Sequence, residues 1–377
     1  MDNILLSATL AFMITFFAIP VIIQVAKNKK LFDEPDERKV HKTVIPTLGG
    51  LGIFAGFIIA LLMGTPINSG FNLQFFVASA VVIFFLGMKD DIMVISASKK
   101  FIGQLIAAGI LIKFGGIHID NMQGFLGFNE IPHFASVILS VFTIIVITNS
   151  FNLIDGIDGL AGSLGFLTTI LFGVYFYYIG ELGFSVMAFT LSGSLISFLI
   201  YNFSPAKIFM GDTGSLLVGL VNSILVIKFI NSAGTPVHSF PLEASPAIGF
   251  AILMIPLFDT LRVFGLRILD RRSPFSPDRS HVHHFLLDLG LSHRQITLSC
   301  VGANIGFILL AFFLRNLGTT AVIFILMLTA TSLTGILYYL RNRTRNNYST
   351  SSSASSESEM ITSHKILGLV SEPVEID

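Results

Sequence analysis

Acidic and basic residues stand together at a few points of this 377-residue chain, next to long apolar stretches. One such run is Lys89-Asp90-Asp91, and Lys99 and Lys100 follow it closely. Adjacent carboxylates beside hydrocarbon are costly to desolvate, so we expect this pair to have a function. One carboxylate could hold a divalent cation while the other accepts a proton. The alternative is that both are ordinary solvated acids of a loop.

The most specific motif has the sequence NSFNLIDGIDGL and occupies residues 149–160. Asn149, Asn152 and Asp155 recur every three residues, which places them on roughly one face if a helix continues through them. The glycines that follow allow a tight turn, so we expect Asp155 and Asp158 to face the same small volume. An EF-hand is excluded, because no acidic loop ending in Glu follows.

The motif FMGDTGS at residues 209–215 opens another predicted helix. Backbone N–H groups at a helix N-terminus favour phosphate, and Asp212 could bring Mg²⁺ to it. Simple capping of the helix by Asp212 or Thr213 is the alternative. The spacing of the glycines excludes a Walker motif.

A basic residue, Lys42, stands shortly before the sequence PTLGG at residues 46–50, where another apolar stretch begins. Its charge suits an anionic substrate. The paired glycines are explained equally well by a loop that ends in a close contact between helices.

The polar segment 267–296 carries a group of cationic and imidazole side chains that could grip phosphate oxygens. They are Arg272, Arg279, His281, His283 and His284. A zinc or di-iron site is the alternative for the HVHH sequence. A membrane di-iron oxygenase needs several histidine boxes, whereas the other histidines of this chain are scattered singly, so we favour phosphate contact.

The composition predicts the elements that must position these residues. Apolar residues make up 53% of the chain and charged residues only 12%, about half the share of an average soluble domain. Eleven apolar blocks of the sequence are long enough to cross the ~30 Å hydrocarbon core of a bilayer. The blocks are residues 5–26, 48–64, 71–88, 101–114, 134–150, 160–179, 182–201, 214–231, 247–266, 297–314 and 318–340. We therefore predict an all-α polytopic integral membrane protein with about eleven transmembrane helices.

The distribution of charge predicts the orientation. The chain holds 23 Lys and Arg residues against 23 Asp and Glu residues. With eleven spans and an outside N-terminus, every basic residue except Lys113, Lys228 and Arg315 falls on the inner side. This bias predicts a cytoplasmic C-terminus and places the polar motifs at the cytoplasmic face. The first block lacks the features of a cleaved signal peptide, so we expect it to be retained.

We predict a single transmembrane catalytic domain over residues 1–341. The tail, residues 342–377, is Ser-rich and lacks periodic apolar positions, so we predict that it is cytoplasmic and disordered. The single cysteine, Cys300, excludes an intrachain disulfide.

Five motifs stand in order between the predicted spans: PTLGG, KDD, NSFNLIDGIDGL, FMGDTGS and HVHH. Together they resemble the polyprenyl-phosphate N-acetylhexosamine-1-phosphate transferases, the MraY/WecA-like glycosyltransferase family 4. The resemblance extends from about residue 27 to residue 293. The HxHH form and the eleven predicted spans are most similar to the WecA-type branch. The family implies an enzyme of the cytoplasmic (inner) membrane with its active site at the cytoplasmic face and Mg²⁺ as cofactor.

The resemblance also implies a role for each matching residue. Asp90 and Asp91 resemble the catalytic carboxylates, one of which would deprotonate the acceptor lipid phosphate, and Lys100 resembles the active-site lysine. Asp212 resembles the Mg²⁺ ligand, with Asp91 as a second metal ligand and Mn²⁺ as an alternative metal. Asp155 and Asp158 resemble further members of the catalytic group. Substrate binding is implied for Asn152, His281, His283 and His284. The motifs themselves suggest the same role for Lys42, Asn149, Arg272 and Arg279.

The implied reaction transfers N-acetylglucosamine 1-phosphate from UDP-GlcNAc to undecaprenyl phosphate and releases UMP. It would be the first membrane step of a cell-envelope polysaccharide such as O-antigen, common antigen or teichoic acid. The same chemistry with UDP-MurNAc-pentapeptide or another UDP-N-acetylhexosamine stays open. A secondary transporter and a non-catalytic scaffold are the alternatives from other classes. We expect membrane lipids but no nucleic acid as partners, and a homodimer stays open.

Overall fold

The computed structural model describes residues 2–29, 45–65, 71–233, 242–272 and 280–369. Two of the residues implicated in substrate binding, Lys42 and Arg279, lie outside these ranges. The helices, in chain order, are α1 (Asp2–Lys29), α2 (Gly49–Gly64), α3 (Leu73–Ile92), α4 (Ala97–Lys113), α5 (His133–Ile154), α6 (Leu160–Tyr178), α7 (Leu182–Asn202), α8 (Gly211–Ala233), α9 (Ser245–Ile252), α10 (Met254–Leu269), α11 (Val282–Asp288), α12 (His293–Leu314) and α13 (Thr319–Leu369).

Seven helices of the described ranges are long and apolar enough to cross a membrane, or eight if α9 and α10 form one bent span. These are α1, α5, α6, α7, α8, α12 and α13. The remaining predicted blocks, 48–64, 71–88 and 101–114, coincide with α2, α3 and α4. The chain is therefore a helical, polytopic membrane protein.

The ninth predicted block is not the single continuous span that the sequence indicated. It consists of α9 and α10, which are bent by 86° at Leu253. Pro256 in the first turn of α10 has no N–H to donate to the preceding turn. The backbone groups freed at the break bind Asn304 of α12, which donates to the Ile252 carbonyl at 2.9 Å and accepts from the Ile255 amide at 3.0 Å. A polar side chain of a neighbouring helix thus stabilises the break.

The segment between α4 and α5 contains an antiparallel hairpin. It is formed by β1 (Asn121–Phe125) and β2 (Phe128–Glu130). The turn residues Leu126 and Gly127 both have positive φ, 52° and 84°, as a tight two-residue hairpin turn requires. The all-α prediction therefore misses one small sheet.

Helix α13 continues through Leu369 and so extends into the tail that was expected to be disordered. The sequence from 342 to 367 contains no proline or glycine that would end a helix begun in the apolar block.

Helix α8 is the centre of the bundle and packs against α2, α3, α5 and α6. Almost all of its residues are buried. Its N-terminus, where the FMGDTGS motif lies, is approached by two other helices through glycines. A Cβ at Gly50 of α2 would lie 2.1 Å from the Gly214 amide nitrogen, and one at Gly87 of α3 would lie 2.5 Å from the Thr213 Cα. These glycines allow the backbones of α2 and α3 to touch α8.

Candidate active site

The N-terminus of α8 is bound by a carboxylate from α3. Oδ1 of Asp91 accepts a hydrogen bond from the Asp212 amide at 2.7 Å. Its Oδ2 accepts from the Thr213 amide at 3.0 Å and from the Thr213 hydroxyl at 2.5 Å. Amides at a helix N-terminus lack partners within the helix, so Asp91 acts there as an N-cap side chain would. Both oxygens of Asp91 are therefore engaged.

The neighbouring aspartate, Asp90, faces a lysine instead. Nζ of Lys100 lies 2.9 Å from Oδ2 of Asp90 and also donates to Oδ2 of Asp212. It lies 3.3 Å from Oδ1 of Asn152, whose amide group donates to Oδ1 of Asp212 at 2.6 Å and to the Ser215 hydroxyl at 3.0 Å. Asp90, Lys100, Asn152 and Asp212, from α3, α4, α5 and α8, thus form one cluster.

Asp155 lies in the turn after α5 and is partly accessible. Among the described residues its carboxylate has no hydrogen-bond partner. Desolvation raises the pKa of Asp155 well above its usual range, and the nearby carboxylates of Asp212, Asp91 and Asp158 raise it further. An unpaired carboxylate with a raised pKa, beside a polar cluster, suits an acid–base or ligand-binding role.

Asp158 has a different environment, although only two residues separate it from Asp155. It is 3% exposed. Its Oδ2 accepts from the Ala206 amide at 3.1 Å, its Oδ1 lies 3.1 Å from Nδ1 of His293, and its carbonyl accepts from the Thr297 hydroxyl at 2.9 Å. The two aspartates therefore do not share one environment. The contacts of Asp158 join the turn to α12 and to the segment before α8.

The histidines of the HVHH sequence form a column of rings at the start of α11. The ring centroids of His281 and His283 are 5.6 Å apart with 7° between their planes, and those of His283 and His284 are 4.4 Å apart. A Cβ at Gly156 would lie 3.0 Å from Nε2 of His283. The column therefore rests on the turn that carries Asp155 and Asp158.

Burial, followed by the neighbouring His284, lowers the pKa of His283 to about 3. Its imidazole is therefore neutral near neutral pH. Its Nδ1 is buried without a hydrogen-bond partner among the described residues. If His283 contacts a phosphate, it does so as a neutral hydrogen-bonding group and not as a cation.

Two of the other residues implicated in substrate binding do not join the cluster. Asn149 is buried and exchanges hydrogen bonds with the Gln104 amide, at 2.7 Å and 3.2 Å. Its periodicity with Asp155 is interrupted because α5 ends at Ile154. Arg272 is exposed just beyond the end of α10. Substrate contact by either residue stays a prediction.

The structure adds residues that the motifs did not indicate. Asp259 of α10 is buried and binds His281 and Arg262. His293, counted among the scattered histidines, lies beside Asp158. A signal for Asp259 was present, since an acidic residue inside an apolar block is costly and is usually functional. No pattern in the sequence joins His293 to Asp158.

No group of three or more His, Cys, Asp or Glu side chains in the described part of the chain has the arrangement of a metal site. Mg²⁺, however, is commonly held by one or two carboxylates together with substrate phosphates and water. Asp90 and Asp212 fit that donor set, because both bind the same ammonium group of Lys100. Asp91 fits it less well, since its oxygens bind α8.

The fold and the site define a polytopic helical membrane protein with an acidic and basic cluster suited to phosphate-bearing ligands. The model of the family described as glycosyl transferase family 4 matches residues 73–230. A protein of Bacillus subtilis (strain 168), named as a probable undecaprenyl-phosphate N-acetylglucosaminyl 1-phosphate transferase, is 33% identical over 79% of this chain and 82% of its own length. The chain therefore belongs to glycosyl transferase family 4.

Two further relatives have related names. The decaprenyl-phosphate N-acetylglucosaminephosphotransferase of Mycobacterium leprae (strain TN) is 32% identical over 76% of this chain and 78% of its own length. The undecaprenyl-phosphate alpha-N-acetylglucosaminyl 1-phosphate transferase of Escherichia coli (strain K12) is 29% identical over 72% and 73%. The resemblance inferred from the motifs is confirmed, and the transporter and scaffold alternatives lose their support.

Proposed function

We propose that this protein transfers N-acetylglucosamine 1-phosphate from UDP-GlcNAc to a polyprenyl phosphate, undecaprenyl phosphate in the first place. The main observation in favour is the cluster of Asp90, Lys100, Asn152 and Asp212, built from four helices around the N-terminus of α8. The names of the relatives favour N-acetylglucosamine over other N-acetylhexosamines and over the muramoyl pentapeptide.

The reaction is a displacement at phosphorus. An oxygen of the lipid phosphate attacks the β-phosphorus of UDP-GlcNAc, and the bond from that phosphorus to the bridging oxygen breaks. UMP leaves with the bridging oxygen, and the products are polyprenyl-diphosphate-GlcNAc and UMP. Two polyanions must approach each other, so the ammonium group of Lys100 offsets repulsion between them. An aspartyl-phosphate intermediate is the alternative route.

The acids of the site divide into separate roles. Asp155 has a raised pKa and no hydrogen-bond partner within the described part of the chain. It is therefore suited to take a proton from the lipid phosphate, a role that the sequence had suggested for Asp90 or Asp91. Asp91 holds the N-terminus of α8 in place. Asp90 and Asp212 would hold Mg²⁺, or Mn²⁺ in its place, which when bound offsets charge on the diphosphate.

An apolar cavity of about 280 Å³ lies next to this site. Its wall includes Ile154, which directly precedes Asp155, and His283. The remainder is largely apolar and includes Phe258, Phe307 and Leu337 of α10, α12 and α13. A chain of isoprene units beside its phosphate would find apolar surface there, which supports a lipid acceptor.

The number and orientation of the membrane spans are part of the proposed function. We propose eleven spans, an outside N-terminus and one catalytic unit over residues 1–341, with the cluster facing the cytoplasm, where UDP-sugars would reach it. The bias of Lys and Arg toward one side supports this orientation. In this arrangement the enzyme starts a cell-envelope polysaccharide at the cytoplasmic membrane.

The test is UMP release by the purified full chain from UDP-GlcNAc and undecaprenyl phosphate, with and without Mg²⁺. Asp212→Asn is the test variant. Asp120→Asn is the matched control, since Asp120 lies beside the hairpin at the other end of α4 and binds His118. We expect Mg²⁺-dependent release by the wild type and the control, and loss of release in Asp212→Asn.

Parallel reactions with UDP-GalNAc and UDP-MurNAc-pentapeptide test the donor. Turnover with one of these and not with UDP-GlcNAc would mean that the type of reaction is as proposed and that the donor sugar is a different one. A protein that is monodisperse and unfolds cooperatively but releases UMP from none of the three donors would contradict the proposal.

A further inference from the structure

Asp259 is a buried carboxylate that the proposed reaction does not use. It lies on α10 and is 3% exposed. Its Oδ1 accepts from the Val282 amide at 3.0 Å and from the Arg262 guanidinium at 2.8 Å, and its Oδ2 lies 2.9 Å from Nδ1 of His281. The carboxylate of Asp259 thus binds both the first turn of α11 and the imidazole of His281.

The contact with His281 determines where that ring carries its proton. A carboxylate only accepts hydrogen bonds, and the guanidinium of Arg262, which also binds Asp259, favours the ionised form of this acid. Nδ1 of His281 must therefore carry the proton that it donates to Asp259. The other ring nitrogen, Nε2, is then the atom available to a ligand.

The orientation of His281 matters for the remainder of the site because its ring is the first of the histidine column. His283 stacks on it, and Nε2 of His283 lies over Gly156, between Asp155 and Asp158. Asp259 therefore fixes the first ring of the column, and the column contacts the active-site turn through His283.

We propose that Asp259 is a positioning residue that holds His281 with its proton on Nδ1 and so presents Nε2 as a hydrogen-bond acceptor to a hydroxyl or N–H group of the nucleotide sugar. The ligand named here rests on the proposed function, whereas the position of the proton does not. We expect this orientation to contribute roughly 10-fold to 100-fold in activity, the range found for carboxylates that orient metal-bound imidazoles.

The substitution Asp259→Asn separates this role from simple capping of α11. The amide oxygen can still accept from Val282 and Arg262, so the cap is kept. The amide NH₂ replaces Oδ2 and cannot accept from the Nδ1–H of His281. The imidazole must then carry its proton on Nε2, and its Nδ1 becomes the acceptor for the new amide NH₂.

The matched control is Asp288→Asn. Asp288 lies at the other end of α11 and binds Arg341 of α13, with both contacts at 2.7 Å. It also anchors α11, through an arginine of α13. A purely structural role of Asp259 would therefore be imitated by Asp288→Asn.

The experiment is a nitrogen-15 spectrum of the histidine side chains of the full chain in detergent, with His281 assigned by its loss in His281→Gln. We expect the wild type to carry the proton on Nδ1, Asp259→Asn to carry it on Nε2, and Asp288→Asn to match the wild type. We also expect kcat/KM for UDP-GlcNAc to fall roughly 10-fold to 100-fold in Asp259→Asn.

A wild-type His281 protonated on Nε2 alone would overturn the proposal, even if Asp259→Asn fails to fold. An unchanged proton position in Asp259→Asn would also overturn it, as would a moved proton with unchanged kcat/KM. Failure of the proposed function gives a different result, in which no variant turns over UDP-GlcNAc while the spectra still report the proton.

Discussion

The carboxylate of Asp91 binds Thr213 twice, through the backbone amide at 3.0 Å and through the hydroxyl at 2.5 Å. The acid belongs to the end of α3, and the threonine to the first turn of α8, the helix that also carries Asp212. Asp90, the preceding residue, faces Lys100 instead. Adjacent acids of one motif therefore do different things: one fixes the helix that carries Asp212, and the other belongs to the charged cluster.

We expect Asp91→Asn to lower the free energy of unfolding by about 1 to 2 kcal/mol, as the loss of an N-cap does. Thr213→Val is the matched variant, since it removes one of the hydrogen bonds and should cost about 1 kcal/mol. Denaturant unfolding in detergent measures both. A fully stable Asp91→Asn protein without activity would instead mean that Asp91 takes part in the chemistry directly.

The shared contact of Lys100 with Asp90 and Asp212 predicts how metal and protein stability are linked. In Lys100→Gln the two carboxylates lose their common cation, so we expect lower stability without metal and a larger rise in unfolding temperature on adding Mg²⁺ than in the wild type. Binding to the folded state alone adds about 2.7 kcal/mol at a hundred times Kd. Turnover should still fall, because the lysine charge is missing from the phosphate site.

Thermal unfolding in detergent with a series of Mg²⁺ concentrations measures this linkage. Asp212→Asn should respond less than the wild type, and Asp120→Asn should respond like it. An equal response of all four proteins to Mg²⁺ would exclude Asp90 and Asp212 as the metal site.

Much of this site could be predicted from the sequence, because its motifs lie at helix ends and these ends meet at one end of the bundle. Asp90, Lys100, Asn152 and Asp212 do meet. The pairing of Asp155 with Asp158 was only partly right, because His293 of a distant helix and the Ala206 amide engage Asp158. Such partners depend on tertiary packing and leave no local pattern.

The bend between α9 and α10 illustrates the same limit. Apolar composition predicts that residues 247–266 are helical, but the break depends on Asn304, about fifty residues further along the chain. The side-chain amide of Asn304 satisfies the backbone groups that a break would otherwise leave unpaired in an apolar environment. Asp259, by contrast, was visible in the sequence as an acid inside an apolar block.

Asp155 and Asp158 should respond to substitution in opposite directions. Desolvation, followed by repulsion from the nearby carboxylates, raises the pKa of Asp155, so its ionised form is disfavoured in the folded state. We expect Asp155→Asn to stabilise the protein near neutral pH while abolishing turnover. Asp158→Asn should destabilise it by roughly 1.5 to 3 kcal/mol, since a carboxylate that accepts hydrogen bonds in a buried site is lost.

The pH dependence follows from the sign of the shift. A raised folded-state pKa means that the protonated Asp155 is favoured by folding, so the associated stability is fully present below the unfolded pKa of about 3.9 and is lost as pH rises through the folded pKa. The stability advantage of Asp155→Asn over the wild type should therefore grow with pH above about 4. Unfolding temperatures across this range measure it, and a constant difference would contradict the raised pKa.

Gly156 provides the sharpest test of the contact between the histidine column and the active-site turn. Its φ lies outside the left-handed region, so alanine at an uncrowded position of this kind would stabilise by about 0.4 to 1 kcal/mol through the unfolded state. Here the added Cβ would lie 3.0 Å from Nε2 of His283. We expect Gly156→Ala to cost roughly 1 to 3 kcal/mol through overpacking and to lower turnover, because it displaces the turn between Asp155 and Asp158.

The same substitution in a His283→Ala background separates this contact from any other effect of the methyl group. Without the imidazole, Gly156→Ala should cost nothing or should stabilise, so the two substitutions should show a coupling free energy of roughly 1 to 3 kcal/mol in a double-mutant cycle. Gly302→Ala on α12 is the control, since a Cβ there meets no atom within 4 Å, and its effect should be the same in both backgrounds. Additive effects of Gly156→Ala and His283→Ala would mean that His283 does not rest on this turn, and the histidine column would then lose its link to Asp155.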